Sequence, residues 1–422
     1  MSRLGGLLLV AVCAAAQTIP TALRQSNLDS FEQVWKTVRD KHWDPKLNGV
    51  DWQAVHDELR PKVEGAKTMA EARGAISEML ERLGQTHFGI VPSDLYGEVD
   101  EAAGGEASPG FDVRVIDGCV LVTSVEEGSP AAGRGIQPGW EIVRIGGKKM
   151  APVLERIRGQ YRSSTMLEIR ETRSALNRLQ GATGSRVHLD LVDGAGTPVA
   201  LDVERAAPRG KLVHFGNMPQ QHVWSEWRKA RPDVGYVRFN EFLDPEGVAK
   251  TVEDAVKGCA GCRGFVIDLR GNPGGLGALA MGVAGWFVDR SGLQLGTMHM
   301  RDSNLNFVIF PRPQPFRGPL AVLVDGCSAS TSEILAGGLK DVGRARVFGT
   351  RTAGAALPSV FEKLPNGDGF QYAIANYISQ GGKPLEGIGV IPDDEARLTR
   401  EGLLGGRDEV LDAAAAWIQK QK

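Results

Sequence analysis

The sequence predicts a multi-domain α/β protein: a helical N-terminal segment, a β-rich middle and a C-terminal α/β core. Three observations carry this. Residues 27 to 83 repeat apolar side chains at helical spacing, residues 108 to 205 change to short alternating runs broken by turn residues, and from about residue 211 strand-like runs alternate with amphipathic stretches. A chain of 422 residues with 42% hydrophobic side chains is too long for one ordinary core and suggests two or three.

The chain starts MSRLGGLLLVAVCAAAQT, with Arg3, an apolar stretch from Leu4 to Val12, and small residues Ala14 to Ala16 suited to cleavage. Residues 1–16 therefore read as a signal peptide, and the mature protein is expected to be exported, periplasmic or extracellular. Cys13 raises lipid anchoring as an alternative, which the large Val12 before it disfavours. No later run has the eighteen or so apolar residues that a membrane-spanning helix needs. Lys plus Arg (49) nearly balances Asp plus Glu (51), so no global field draws the chain to nucleic acid or anionic lipid.

The helical domain is expected over 27–105. Phe31, Val34, Trp35 and Val38 form an apolar stripe behind an Asp29 to Glu32 capping box, and Thr68 with Glu71 opens a second helix that Gly84 stops. Strands follow over 108–205, supported by Val120, Val122 and Val125, with an Arg-, Glu- and Leu-rich insertion at about 151–182 that reads as helical. The core occupies 211–422, with strands in GYVRFNEF, GFVIDLR, LAVLVDG and ARVFGT and a hairpin signal at Asn366-Gly367. Five cysteines become four after removal of the leader. Cys259 and Cys262 could pair in an oxidising compartment, whereas zinc lacks a second pair or a histidine cluster. No metal and no cofactor is expected.

Two segments could carry chemistry. In VLVDGCSASTSEILAGGLKDVG a strand runs through a turn into an amphipathic helix, which puts Ser330 at a helix N-terminus whose backbone N–H groups favour an oxygen anion. The plainer reading is a capping box of Ser330 with Glu333. In GFVIDLRGNPGGLGALA a strand ends at Gly271, Gly274, Gly275 and Gly277, which permit close approach of a ligand or oxyanion. The same glycines partly fit a dinucleotide fingerprint, but Asp289 comes too early to be its ribose-binding acid.

The β-rich segment resembles a PDZ domain in the order of its features: Gly110-Phe111-Asp112 for a carboxylate-binding loop, Ser129-Pro130-Ala131-Ala132 opening a helix, and Pro138-Gly139-Trp140-Glu141-Ile142-Val143 entering a strand. With LGQTHFGIVP, DLRGNPGG, SASTSEI, GRARVFGTRTAG and LEGIGVIPD in order, nearly the whole mature chain resembles the C-terminal processing (tail-specific) peptidases. Their relatives include the tricorn core domain and the interphotoreceptor retinoid-binding protein. The resemblance implies a serine endopeptidase with Ser330 as nucleophile, acting on polypeptides that the PDZ-like module captures by their C-terminal tails at Gly110, Phe111 and Asp112.

One position departs. Family members with a Ser/Lys dyad carry the lysine twenty-five residues after the nucleophile, where this chain has Ala355. The tricorn-like branch implies a replacement: His87 as base, Glu386 supporting it, and Thr86 where that branch has a second serine. By the same resemblance the oxyanion donors are the N–H groups of Thr331 and Gly274, with Gly275 as the fallback. Two rivals follow from the missing lysine: an inactive member that binds apolar ligands or peptides, and a PDZ adaptor without catalysis. Cleavage preference, oligomeric state and a lid role for the insertion are not legible.

Overall fold

A computed structural model describes residues 20–93 and 107–421. The predicted leader, Cys13 and the 94–105 end of the helical segment lie outside the described residues.

Three helices, Thr21–Lys41, Trp52–Glu64 and Met69–Glu81, build the N-terminal part around Phe31, Val34, Leu59, Ile76 and Met79, all fully buried. The apolar stripe is where its spacing puts it, but the capping box at Asp29 is not formed. Pro20 stands at the N-cap and the helix runs from Thr21, so Asp29 lies inside it and accepts a hydrogen bond from Gln25 instead (2.8 Å). The intervening Ala22, Leu23, Arg24 and Gln25 are good helix formers, and nothing among them stops propagation. At the third helix Thr68 does cap, accepting from the Glu71 N–H at 3.1 Å.

The middle part is a six-stranded antiparallel sheet in the order Phe111–Ile116, Cys119–Val125, Glu141–Ile145, Arg186–Val192, Pro198–Glu204, with short Lys148–Lys149 pairing off this path with Glu141–Ile145. Its core includes Val113, Val120, Val122, Leu189 and Leu191. Ser129 caps the short Pro130–Gly133 helix, and the insertion forms two helices, Ala151–Tyr161 and Leu167–Leu179. Gly110 has φ +85°, and a Cβ there would stand 2.3 Å from the Ser129 Cβ, so this turn requires glycine.

The C-terminal core is a six-stranded sheet in the order Ser225–Arg231, Val234–Phe239, Gly264–Asp268, Leu320–Val324, Arg346–Gly349, Asp394–Glu395. All neighbours but the first pair are parallel. Parallel strands with both faces covered read as continuous apolar runs, and every residue of the two central strands is buried. Alternate side chains divide between the faces. Phe265, Ile267, Val322 and Val324 meet the helices Pro245–Gly258, Gly277–Ala284 and Thr331–Asp341, while Val266, Ala321 and Leu323 meet the last helix, Glu409–Lys420. Ile267 is fully buried, so Ile267→Ala is expected to cost about 2–5 kcal/mol. A lower urea midpoint checks this, and an unchanged midpoint would contradict the packing.

Two devices place residues at the carboxyl ends of the parallel strands, where α/β sheets bind ligands. Gly89–Val91 pairs antiparallel with Gly369–Ala373 of the predicted hairpin, carrying the end of the helical part to the core. From the middle sheet, Arg114 Nε donates to Asp325 Oδ2 at 2.8 Å, just beyond the Leu320–Val324 strand. Cys259 and Cys262 form a disulfide.

Candidate active site

Ser330 follows the Leu320–Val324 strand through a tight turn and stands at the N-cap of Thr331–Asp341 with φ 55° and ψ −117°. A non-glycine residue there is strained, and such strain persists only where the surroundings over-determine it. Glu333 is one of those surroundings. Fully buried, its carboxylate accepts from the N–H groups of Ser330 (2.9 Å), Ala355 (2.9 Å) and Gly354 (2.8 Å) and from the Thr352 hydroxyl (2.6 Å). The predicted capping interaction from Glu333 to the Ser330 backbone is thus present, and the same carboxylate also fastens the 352–355 segment to the turn. Burial pushes its pKa up to about 7 against these donors.

Asp325 holds the start of the turn. Its carboxylate accepts from the N–H groups of Cys327 and Gly271, at 3.0 and 2.9 Å, so the serine turn and the glycine-rich loop share one anchor. Gly274 touches the serine turn: a Cβ on it would lie 2.7 Å from the Ser330 Cβ and 2.9 Å from the Thr331 nitrogen. Gly274 and Thr331 are therefore brought together as expected. The Gly274 N–H, however, donates to Asn272 Oδ1 at 2.9 Å. Gly275 forms a parallel bridge in which Phe242 N–H donates to Gly274 O and Leu276 N–H to Phe242 O. That pattern turns the Gly275 N–H away from Phe242. The Gly274 N–H is thus engaged by Asn272, whereas that of Gly275, the fallback donor, is turned away from its bridge partner.

His87 also has positive φ, 60°. Its Nδ1 lies 2.8 Å from Thr86 Oγ1, which donates to Glu386 Oε2 at 2.9 Å, while the Thr86 N–H donates to Glu386 Oε1 at 2.8 Å. A threonine hydroxyl has one proton. Once it goes to Glu386, the His87 contact needs an Nδ1–H donor, which leaves Nε2 with the lone pair of a base. Glu386 accepts a third bond from the Ala356 N–H (3.2 Å), and the preceding Ala355 carbonyl accepts the Ser330 N–H (2.8 Å). The Thr86-Glu386 chain and the serine turn thus meet on adjacent residues, although His87 and Ser330 are far apart in sequence. Burial, and next the charge of Arg173, push the His87 pKa down to about 4, and burial raises that of Glu386.

Ser330, Thr331, His87 and Thr86 line one cleft of about 2080 Å³ that extends to Phe111 and Asp112. Asp112 is engaged by Arg114 at 3.0 Å. Ala355 is buried with Ala329, Ala353, Cys327 and Ile169, so the position of the dyad lysine is apolar here. What sequence reading missed is the contribution of the insertion: Ile169 packs against the serine turn, and Arg173 faces His87 closely enough for its charge to be felt. The only signal was the Arg-rich composition. Beside the cleft, which Cys327 also lines, donor atoms of Glu168, Asp325 and Cys327 lie within 4.8 Å of one another. Arg114 already pairs with Asp325 there, and burial raises the Cys327 thiol pKa, so a cation would have to displace both the Arg114 pairing and the thiol proton.

The comparisons first define the class. Residues 233–396 match the model of Peptidase family S41, and residues 24–81 match that of the Tricorn protease C1 domain. Among individual relatives, it is 28% identical over 371 residues to carboxyl-terminal-processing peptidase 3, chloroplastic, of Arabidopsis thaliana, covering 86% of this chain and 67% of that one. It is 24% identical over 395 residues to carboxy-terminal processing protease CtpA of Bacillus subtilis, covering 93% and 76%. The fold resembles that of a photosystem II D1 C-terminal processing protease, with TM-score 0.58, 24% identity and 93% and 99% of the two chains covered. It also resembles mature CPAF, with TM-score 0.62, 14% identity and 95% and 97% covered. The expected mixed α/β architecture with its helical start is thus that of a C-terminal processing protease.

Proposed function

We propose that the protein is an exported serine endopeptidase of the C-terminal processing type, with Ser330 as nucleophile and a His87-Thr86-Glu386 chain in place of the lysine of a Ser/Lys dyad. One observation carries this reading: a serine held in strained backbone at a helix N-terminus shares a cleft with an imidazole whose Nδ1 is tied through Thr86 to a buried carboxylate.

His87 Nε2 takes the Ser330 proton as Oγ attacks the scissile carbonyl carbon. The carbonyl π electrons move to oxygen, and the oxyanion accepts from the N–H groups of Thr331 and Gly275 at the positive end of the helix. Collapse breaks the C–N bond, protonated His87 gives its proton to the leaving amine, and water attacks the acyl-enzyme by the same route. Glu386 stabilises the imidazolium through the Thr86 hydroxyl.

The Phe111–Ile116 strand and the Gly110 turn suit a PDZ-like role in which a substrate tail adds as a strand with its carboxylate on backbone N–H groups. No metal enters the scheme. A fluorophosphonate probe is expected to label Ser330, located by peptide mass mapping, and EDTA is expected to leave hydrolysis unchanged. A native protein inert to the probe and to peptides would favour the binding-protein reading, and chelator inhibition reversed by zinc would overturn the metal-free scheme.

A further inference from the structure

The cleft holds several arginines, and most are neutralised. Arg114 pairs with Asp325 at 2.8 Å, Arg209 with Glu226 at 3.2 Å, Arg270 with Asp268 at 2.7 Å, and Arg238 reaches Asp112 at 3.9 Å. Arg173 and Arg170 differ. Both line the cleft, and among the described residues neither has a carboxylate within ion-pair distance. Arg170 lies over the Tyr161 ring at 5.3 Å, and Arg173 feels Cys327, the like charge of Arg170 and the carboxylate of Glu241 in the same cleft, none of them at ion-pair distance.

Their position follows from the helix that carries them. Leu167–Leu179 is anchored by Ile169, buried against Cys327, Ala329 and Ala355 of the catalytic turn. Arg173 is four residues on and so shares that face. Its side chain is open to the solvent of the cleft yet surrounded by protein, and this desolvation lowers its pKa. The same helix packs against the Phe111–Ile116 strand, proposed above to receive a substrate tail. Arg173 thus stands between the tail groove and His87. Two adjacent guanidinium groups in a concavity, with no carboxylate at ion-pair distance, suit an anionic ligand that can accept from both.

We infer that Arg173, with Arg170 one turn before it, forms a subsite that selects peptide substrates by a carboxylate. The inference rests on the peptidase reading for its substrate class. The carboxylate is that of an acidic side chain or the C-terminus itself, and both present the planar acceptor pair that a guanidinium matches. Occupation also neutralises the cation facing His87, so a bound carboxylate favours the imidazolium that forms as Ser330 attacks. Arg173 would act on specificity and on the base together.

The test is binding to full-length Ser330→Ala protein, which needs no turnover. Fluorescein-labelled alanine-rich peptides of about ten residues carry one Glu, or Gln in its place, moved along the last positions and ending in free acid or amide. Acid-bearing peptides are expected to bind at least about tenfold tighter than their neutral twins, equivalent to about 1.4 kcal/mol. Arg173→Gln should bring this ratio within about twofold, and Arg173→Lys should retain part of it. The twin pair whose ratio collapses identifies the side chain or the terminus as the source. A ratio unchanged in Arg173→Gln assigns any preference to the Gly110 turn and overturns the subsite, as does equal binding, or no binding, of acid and neutral peptides. Hydrolysis by the Ser330 protein is measured in parallel. Carboxylate-selective binding without hydrolysis would sink the peptidase reading alone, and hydrolysis indifferent to carboxylates would sink the subsite alone.

Discussion

Ser330→Ala is expected to lower peptide hydrolysis by about 10⁴- to 10⁶-fold while leaving the fold in place. Among the described residues, Ser330 is the only one in the cleft that combines a strained strand-to-helix turn, a helix N-terminus and close approach to the glycine-rich loop. Removing its hydroxyl deletes the attacking atom and leaves the oxyanion donors. The turn itself is held by backbone bonds from Ser330 to Glu333 and to the Ala355 carbonyl, and alanine keeps both. Stability should therefore change by no more than about 1 kcal/mol. Thermal unfolding by circular dichroism and turnover of a fluorogenic peptide check the two halves. Full activity in rigorously purified variant protein would remove Ser330 from the mechanism.

His87→Ala carries the second large effect, a loss of about 10³- to 10⁶-fold, because among the described residues no other base in the cleft is tied to Glu386 through a hydroxyl. The pH profile gives an independent reading. A base works when neutral, so activity is present above its pKa and falls as pH drops through it. Burial and the Arg173 charge hold the His87 pKa down to about 4, with Glu386 facing it from behind Thr86. The acid limb of kcat/KM should accordingly lie well below the 6.5 of a free imidazole. Glu386→Gln should cost less than His87→Ala, since an amide oxygen can still accept the Thr86 hydroxyl but brings no charge. A limb rising with a lysine-like pKa, or an active His87→Ala protein, would direct the search for the base to Lys340, Lys363 and Lys383.

Glu333 shows why a motif and a site differ. As sequence, Ser330 and Glu333 read as a capping box, and that interaction exists. The tertiary structure adds Thr352, Gly354 and Ala355 to the same carboxylate, which turns a local cap into a clamp between the serine turn and the segment that meets Glu386. Gly274 shows the reverse. Its place beside Ser330 followed from the family pattern, but the engagement of its N–H by Asn272 depends on a side-chain orientation that no spacing reveals.

Local rules determined much of this molecule. The apolar runs of Gly264–Asp268 and Leu320–Val324 required strands covered on both faces, Thr68 and Ser129 marked true helix starts, and Asn366-Gly367 turned a hairpin. Each depends on neighbours in the chain, so each is legible without a fold. The start of the first helix escaped because continuous helix propensity from Ala22 to Gln25 outweighed a plausible cap at Asp29. What only the tertiary structure decided is the assembly of the cleft. His87 reaches it because Gly89–Val91 pairs with Gly369–Ala373, Glu386 because its carboxylate accepts Ala356 and Thr86, and Arg173 because Ile169 buries its helix against the catalytic turn. These contacts join residues distant in the chain, Thr86 and Glu386 by 300 positions, and their free energy is gained only once the intervening chain has folded, so periodicity and spacing carry no trace of them.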